Sequence, residues 1–119
     1  MKGRLSSDHA AYLAPVVLEA DGEYELIVDT GFNGHLYIPE DKIEAWGLPF
    51  LLSLPIRLAD QSTVIADVYE ATIVWFDVSV RAVVLSGPSA CEALLGMELL
   101  EGCRLELDRA NGEVRLEQL

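Results

Sequence analysis

Apolar and polar residues alternate with a period of two along most of this chain, and short turn signals interrupt the pattern. That combination restricts the chain to folds built from β-strands. Residues 13–20 (LAPVVLEA) and 23–30 (EYELIVDT) flank Asp21-Gly22, a pair that favours a two-residue type I′ hairpin because both central positions need positive φ. Residues 53–60 and 62–76 form a second hairpin pattern with Asp60 and Gln61 near its tip, and residues 78–86 continue the alternation after Asp77. Residues 103–119 read as two further strands around Asn111 and Gly112, making about seven strands in all. Two short helices interrupt them. In IPEDKIEAWGL, Pro39 suits a first helical turn, Glu40 and Asp41 complement its positive end, and Gly47 supplies a left-handed stop. GMELLEG, from Gly96 to Gly102, is one or two turns bounded by glycines. No strand-helix-strand rhythm is present. The fold class expected is all-β, a closed or partly closed barrel with one or two short helices.

At 119 residues the chain is read as one domain, 1–119, able to bury roughly two-thirds of its unfolded surface. Residues 1–12 are expected to form a loose N-terminal segment. They are read as mature sequence, because Asp8 and His9 interrupt the apolar centre that a secretory signal needs. Eight Lys and Arg stand against 20 Asp and Glu, a net charge of −12 without a charged tail. Nucleic acid and anionic membrane surfaces require clustered cations, so neither is expected as a partner. No apolar run approaches the ~18 residues of a membrane span. Cys91 and Cys103 are too few for a disulfide scaffold or a zinc site and are read as buried, reduced thiols. The setting expected is cytoplasmic. His35 and His9 lack fellow ligands and are read as surface or hydrogen-bonded histidines, and Trp46, Trp75 and Phe76 as core or rim aromatics, with a groove-lining role open for the last two.

One acidic residue is out of place. Asp29 ends the apolar run Leu26-Ile27-Val28 and precedes a turn with two glycines, in a strand expected to be buried on both faces. The N–H groups of a Gly turn can bond and orient such a carboxylate. Three readings stand: an Asx-turn residue bonding its own backbone, a phosphate-binding or phosphoryl-accepting loop, and a catalytic carboxylate. The phosphate reading needs a longer α/β framework with a nearby Lys or Arg. A faint internal half-repeat, strand then Gly turn then short helix, links residues 26–47 to residues 82–102.

Asp29-Thr30-Gly31 after an apolar strand, a central hairpin, and then Ala93-Leu94-Leu95-Gly96-Met97-Glu98-Leu99-Leu100, in that order, resemble the retropepsin-like aspartic proteases over about Val16 to Leu107. The resemblance implies a retropepsin-like barrel and an aspartic endopeptidase active as a homodimer, with Asp29 of each subunit catalytic and no metal or cofactor. It implies that Thr30 braces the paired loops, that Gly31 brings its N–H to the carboxylate, and that Leu94, Leu95 and Gly96 pack beside them. It also implies that Ala59, Asp60, Gln61 and Ser62 form a flap over an extended peptide or protein substrate. A non-catalytic dimeric module of the same fold, gripping extended peptides, is the alternative. Phe32 stands where the family commonly has Ser, Thr or Ala, and the tail beyond Gly102 is long enough for a complete hairpin.

Overall fold

A computed structural model describes residues 1–119. In sequence order its strands are β1 (Lys2–Leu5), β2 (Ala11–Leu13), β3 (Val16–Val17), β4 (Gly22–Glu23), β5 (Leu26–Val28), β6 (Leu36–Pro39), β7 (Phe50–Arg57), β8 (Thr63–Trp75), β9 (Val78–Gly87), β10 (Leu94–Leu95), β11 (Cys103–Asp108) and β12 (Glu113–Gln118). The one α-helix, α1, spans Glu40–Trp46, and short 3-10 turns cover Leu18–Ala20 and Met97–Leu100. The fold is all-β. Its strands join one 12-stranded sheet in the order β11-β12-β1-β2-β5-β10-β6-β9-β8-β3-β4, with β7 on β8 alone, and the path does not close on itself.

Alternation along the strands sends every second side chain into one core. Leu13, Leu26, Leu36, Ile38, Ile73, Leu95 and Leu116 are essentially inaccessible, each worth on the order of 1.5–3 kcal/mol relative to exposure. Helix α1 caps this core through Ile43, and it ends where Gly47 takes φ 62° and returns its N–H to the Glu44 and Ile43 carbonyls. The long β8–β9 hairpin and the terminal β11–β12 hairpin follow the alternation read in the sequence. Strand β7 also pairs with β8, in a register from Phe50↔Tyr69 to Arg57↔Thr63, but it starts three residues before the expected 53–60 and is exposed along nearly its whole length.

Local patterns failed in three places, each overridden by contacts from distant residues. Residues 1–12 are not loose: β1 pairs with β12 and β2, and the terminal ammonium donates to the Leu116 carbonyl at 2.8 Å. Asp21-Gly22 is not a two-residue turn, because Val17 pairs with Gly22 and the whole of Leu18–Asp21 forms the connection. The reason lies across the sheet. The Glu19 carboxylate accepts the Thr72 N–H at 2.8 Å, which holds the 3-10 turn against β8 and carries on the ladder that β3 leaves after Ile73. The helical segment expected from Gly96 to Gly102 narrows to the 3-10 turn Met97–Leu100. Cys91 and Cys103 are free and half-buried, not buried, and burial pushes both thiols up from their usual value. No helix is long and apolar enough to cross a membrane.

Candidate active site

The centre of the sheet is unusual in its connectivity, and this sets the site. Strand β10 lies between β5 and β6, parallel to the first (Leu94↔Ile27, Leu95↔Val28) and antiparallel to the second (Leu94↔Tyr37, Leu95↔Leu36). The Leu94-Leu95 segment is therefore inserted between the strand that ends in Asp29 and the strand on the far side of the Asp29 loop. Leu26 is buried in β5, whereas Ile27 and Val28 are only half-buried, so the strand is less enclosed than its composition implies. The Asp29 N–H donates to the Leu95 carbonyl at 2.9 Å, its carbonyl accepts the Phe32 N–H at 3.1 Å, and its Oδ1 accepts the Gly31 N–H at 2.9 Å. The Asx-turn geometry is thus present. It orients the carboxylate and is compatible with chemistry at the remaining oxygen.

Gly96 shows why a glycine ends the second motif. A Cβ there would stand 2.2 Å from the Gly34 carbonyl oxygen and 2.6 Å from the Phe32 ring. With no side chain in the way, three successive N–H groups reach carbonyls between Phe32 and His35, just past Asp29. Gly96 donates to the His35 carbonyl at 2.9 Å, Met97 to the Phe32 carbonyl at 2.8 Å and Glu98 to the Gly34 carbonyl at 3.2 Å. The Phe32 side chain lies over Gly34 and Gly96 and meets Tyr37 edge-on, ring centroids 6.2 Å apart. It packs the two motifs together and brings no hydroxyl to Asp29.

A cavity of about 560 Å³ opens beside this loop. Asp29, Gly31, Phe32 and Leu94 line one side, and Ile56, Arg57, Leu58, Ala59 and Val64 of the β7–β8 hairpin line the other. Burial, and to a smaller degree Cys91, raises the Tyr37 hydroxyl pKa above its ordinary value, so this phenol stays neutral. The hairpin stands in solvent with apolar side chains on both faces: Phe50 is 56% exposed and Ile65 69%. Its tip is a tight turn in which Leu58 donates to the Ser62 carbonyl and Gln61 to the Leu58 carbonyl, at 2.8 and 3.0 Å. Asp60 accepts the Ser62 hydroxyl at 2.5 Å and its N–H at 2.9 Å, and these bonds, the hydroxyl first, hold its carboxyl below the usual range.

Asp29, Gly31, Leu94 and Ala59 thus come together around one cavity, among the residues singled out from the sequence. Thr30 is exposed on the loop, and Leu95 and Gly96 are buried beneath it. Asp60, Gln61 and Ser62 form the turn beyond the lining. Sequence reasoning missed Tyr37, Ile56, Arg57, Val64 and Leu85, because only pairing across the sheet brings them to Asp29. Trp75 is buried against Phe76, and neither lines this cavity. His35 accepts the Val83 N–H at Nδ1, 2.9 Å away, as a hydrogen-bonded histidine should.

The crystal structure of a retropepsin-like aspartic protease from Rickettsia conorii matches this chain with a TM-score of 0.69 at 18% identity, over 98% of this chain and 88% of that one. The fold is retropepsin-like. No family model and no curated protein matches the sequence.

Proposed function

We propose that this chain is the subunit of a homodimeric aspartic endopeptidase, with Asp29 as its catalytic residue. One observation carries the reading most: Asp29 is pinned by the Gly31 N–H at the edge of a largely apolar cavity that a projecting hairpin faces. The sequence has a single Asp-Thr-Gly, so a dyad needs two copies meeting about a two-fold axis, each loop against its own counterpart. Two carboxylates at hydrogen-bonding distance share one proton and titrate as a pair. The ionised member takes a proton from a water as that water attacks the peptide carbonyl, and the protonated member hydrogen-bonds the carbonyl oxygen. Thr30, exposed on the loop, is available to brace the partner loop. The substrate is an extended peptide held by backbone hydrogen bonds beneath the hairpin.

The test is cleavage of a diverse peptide library by the full-length protein between pH 3 and 7, with sedimentation of the same sample. Activity is expected on the acid side, in the dimer, and Asp29→Asn should lower it by about 10²–10⁴-fold without dissolving the dimer. A folded dimer that cleaves nothing would sink the proposal. Phe32 offers Asp29 no hydroxyl donor, and that observation favours a second reading, a module that grips extended peptides without cutting them. Intact recovery of a tightly bound peptide, with affinity unchanged in Asp29→Asn, is the result that reading requires.

A further inference from the structure

The cavity beside Asp29 has one cationic side chain in its lining, that of Arg57 at the end of β7; Phe32, Tyr37, Ile56, Leu58 and Val64 make much of the rest apolar. Arg57 is one of two arginines, with Arg109, that have no carboxylate within 4 Å. Acidic residues outnumber basic ones 20 to 8, and Arg4, Arg81, Arg104 and Arg115 all lie within 4 Å of a carboxylate. Arg109 touches His9. Arg57 has no carboxylate at that distance, and the residue paired with it across the hairpin is Thr63. The three acids on the same hairpin are engaged elsewhere: Asp60 by Ser62, Asp67 by the Ser53 hydroxyl at 2.7 Å, and Glu70 by Arg81 at 3.9 Å.

A guanidinium without a carboxylate partner, exposed in a cavity whose only other charged lining residue is Asp29, can receive a carboxylate. It is always charged, and its planar fork matches a carboxylate with two parallel hydrogen bonds that strengthen once a bound peptide excludes water. We infer that Arg57 forms a subsite for a substrate carboxylate, so that the peptides accepted carry apolar side chains next to an acidic residue or a free C-terminus. The inference rests on the peptide-binding reading of the Asp29 cavity and adds the class of sequence bound there. The net charge of −12 does not oppose it, because surface charges beyond roughly 8 Å are screened at physiological salt whereas a direct contact is not.

Binding to the full-length Asp29→Asn protein tests the subsite without any need for cleavage. The probes are fluorescent ten-residue apolar peptides in which one Glu, Gln or Lys is moved through every position, each with a free and an amidated C-terminus. At one position Glu should bind roughly tenfold tighter than Gln. Arg57→Gln should abolish that preference, Arg57→Lys should keep part of it, and Arg57→Glu should transfer it to Lys. Thermal melts of each variant separate misfolding from altered recognition. A preference that tracks the free terminus instead of the side chain identifies a C-terminal carboxylate as the ligand and supports the same subsite. Equal binding of Glu and Gln peptides with no effect of the free terminus, a preference that survives Arg57→Gln in a folded protein, or no binding of any peptide would overturn the inference. Cleavage assays on the unaltered protein keep the two proposals apart. Cutting without a carboxylate preference removes the subsite alone, and a carboxylate preference without cutting removes only the protease.

Discussion

At the scale of single residues, side chains that sit where others are expected repay attention. Phe32 takes the place where the resemblance leads one to expect Ser, Thr or Ala, and it fills the gap between Gly34, Gly96 and Tyr37. Full truncation of a core Phe costs about 3–5 kcal/mol, and a half-buried one roughly half of that. Phe32→Ala is therefore expected to lower stability by about 2 kcal/mol in urea titration. Asp60 shows the same precision in a polar setting. Its carboxyl titrates below the usual Asp range because the Ser62 hydroxyl, and then the Ser62 N–H, bond the charged form. A depressed folded-state pKa means that the turn's contribution is complete above roughly pH 4 and is lost as pH falls through the lower folded value. Ser62→Ala should move the Asp60 titration, monitored by carboxyl NMR, back up toward the ordinary value. An unmoved titration would show that the backbone N–H alone holds the turn.

At the scale of elements, backbone packing decides more than propensity. Gly96 has φ −103°, a conformation open to any residue, so its glycine is explained by space and not by strain. The atoms a Cβ would strike are mostly backbone, the carbonyls of Gly34 and Phe32, and they cannot swing aside. Gly96→Ala is expected to cost about 2–4 kcal/mol and to loosen the Asp29 loop, since Met97 and Glu98 lose their carbonyl acceptors together. Amide exchange at Met97 would report it directly. Glu19 is the other case. Removing its carboxylate leaves the part-buried Thr72 N–H without an acceptor, a loss of about 1–2 kcal/mol. Glu19→Ala should show that loss in urea titration, and Glu19→Gln, which keeps an acceptor oxygen, should recover most of it.

At the scale of the whole molecule, charge governs association. Two subunits of net charge −12 repel each other as they approach, and salt screens that repulsion. The proposed dimer should therefore tighten as ionic strength rises from about 0.05 to 0.5 M, measured by sedimentation equilibrium. Weakening over that range would point to an interface built from ion pairs instead of from apolar and backbone contacts.

Local patterns carried far in this protein. Period-two alternation marks the long hairpins, Gly47 stops α1 where a left-handed residue is called for, and Asp29 at the end of an apolar strand points to the loop that holds a carboxylate. These features are legible because their physics involves residues a few positions apart. The tertiary structure alone decided the rest. It paired the N-terminal residues with β12, turned Leu18–Ala20 into a 3-10 connection through Glu19 and Thr72, and inserted Leu94-Leu95 between β5 and β6. It also brought Tyr37, Arg57 and Leu85 to the cavity beside Asp29. Those outcomes depend on backbone groups and side chains far apart in sequence satisfying one another at a sheet's centre and edges. Alternation says which face a residue takes, and only the assembled sheet says which neighbour it finds there.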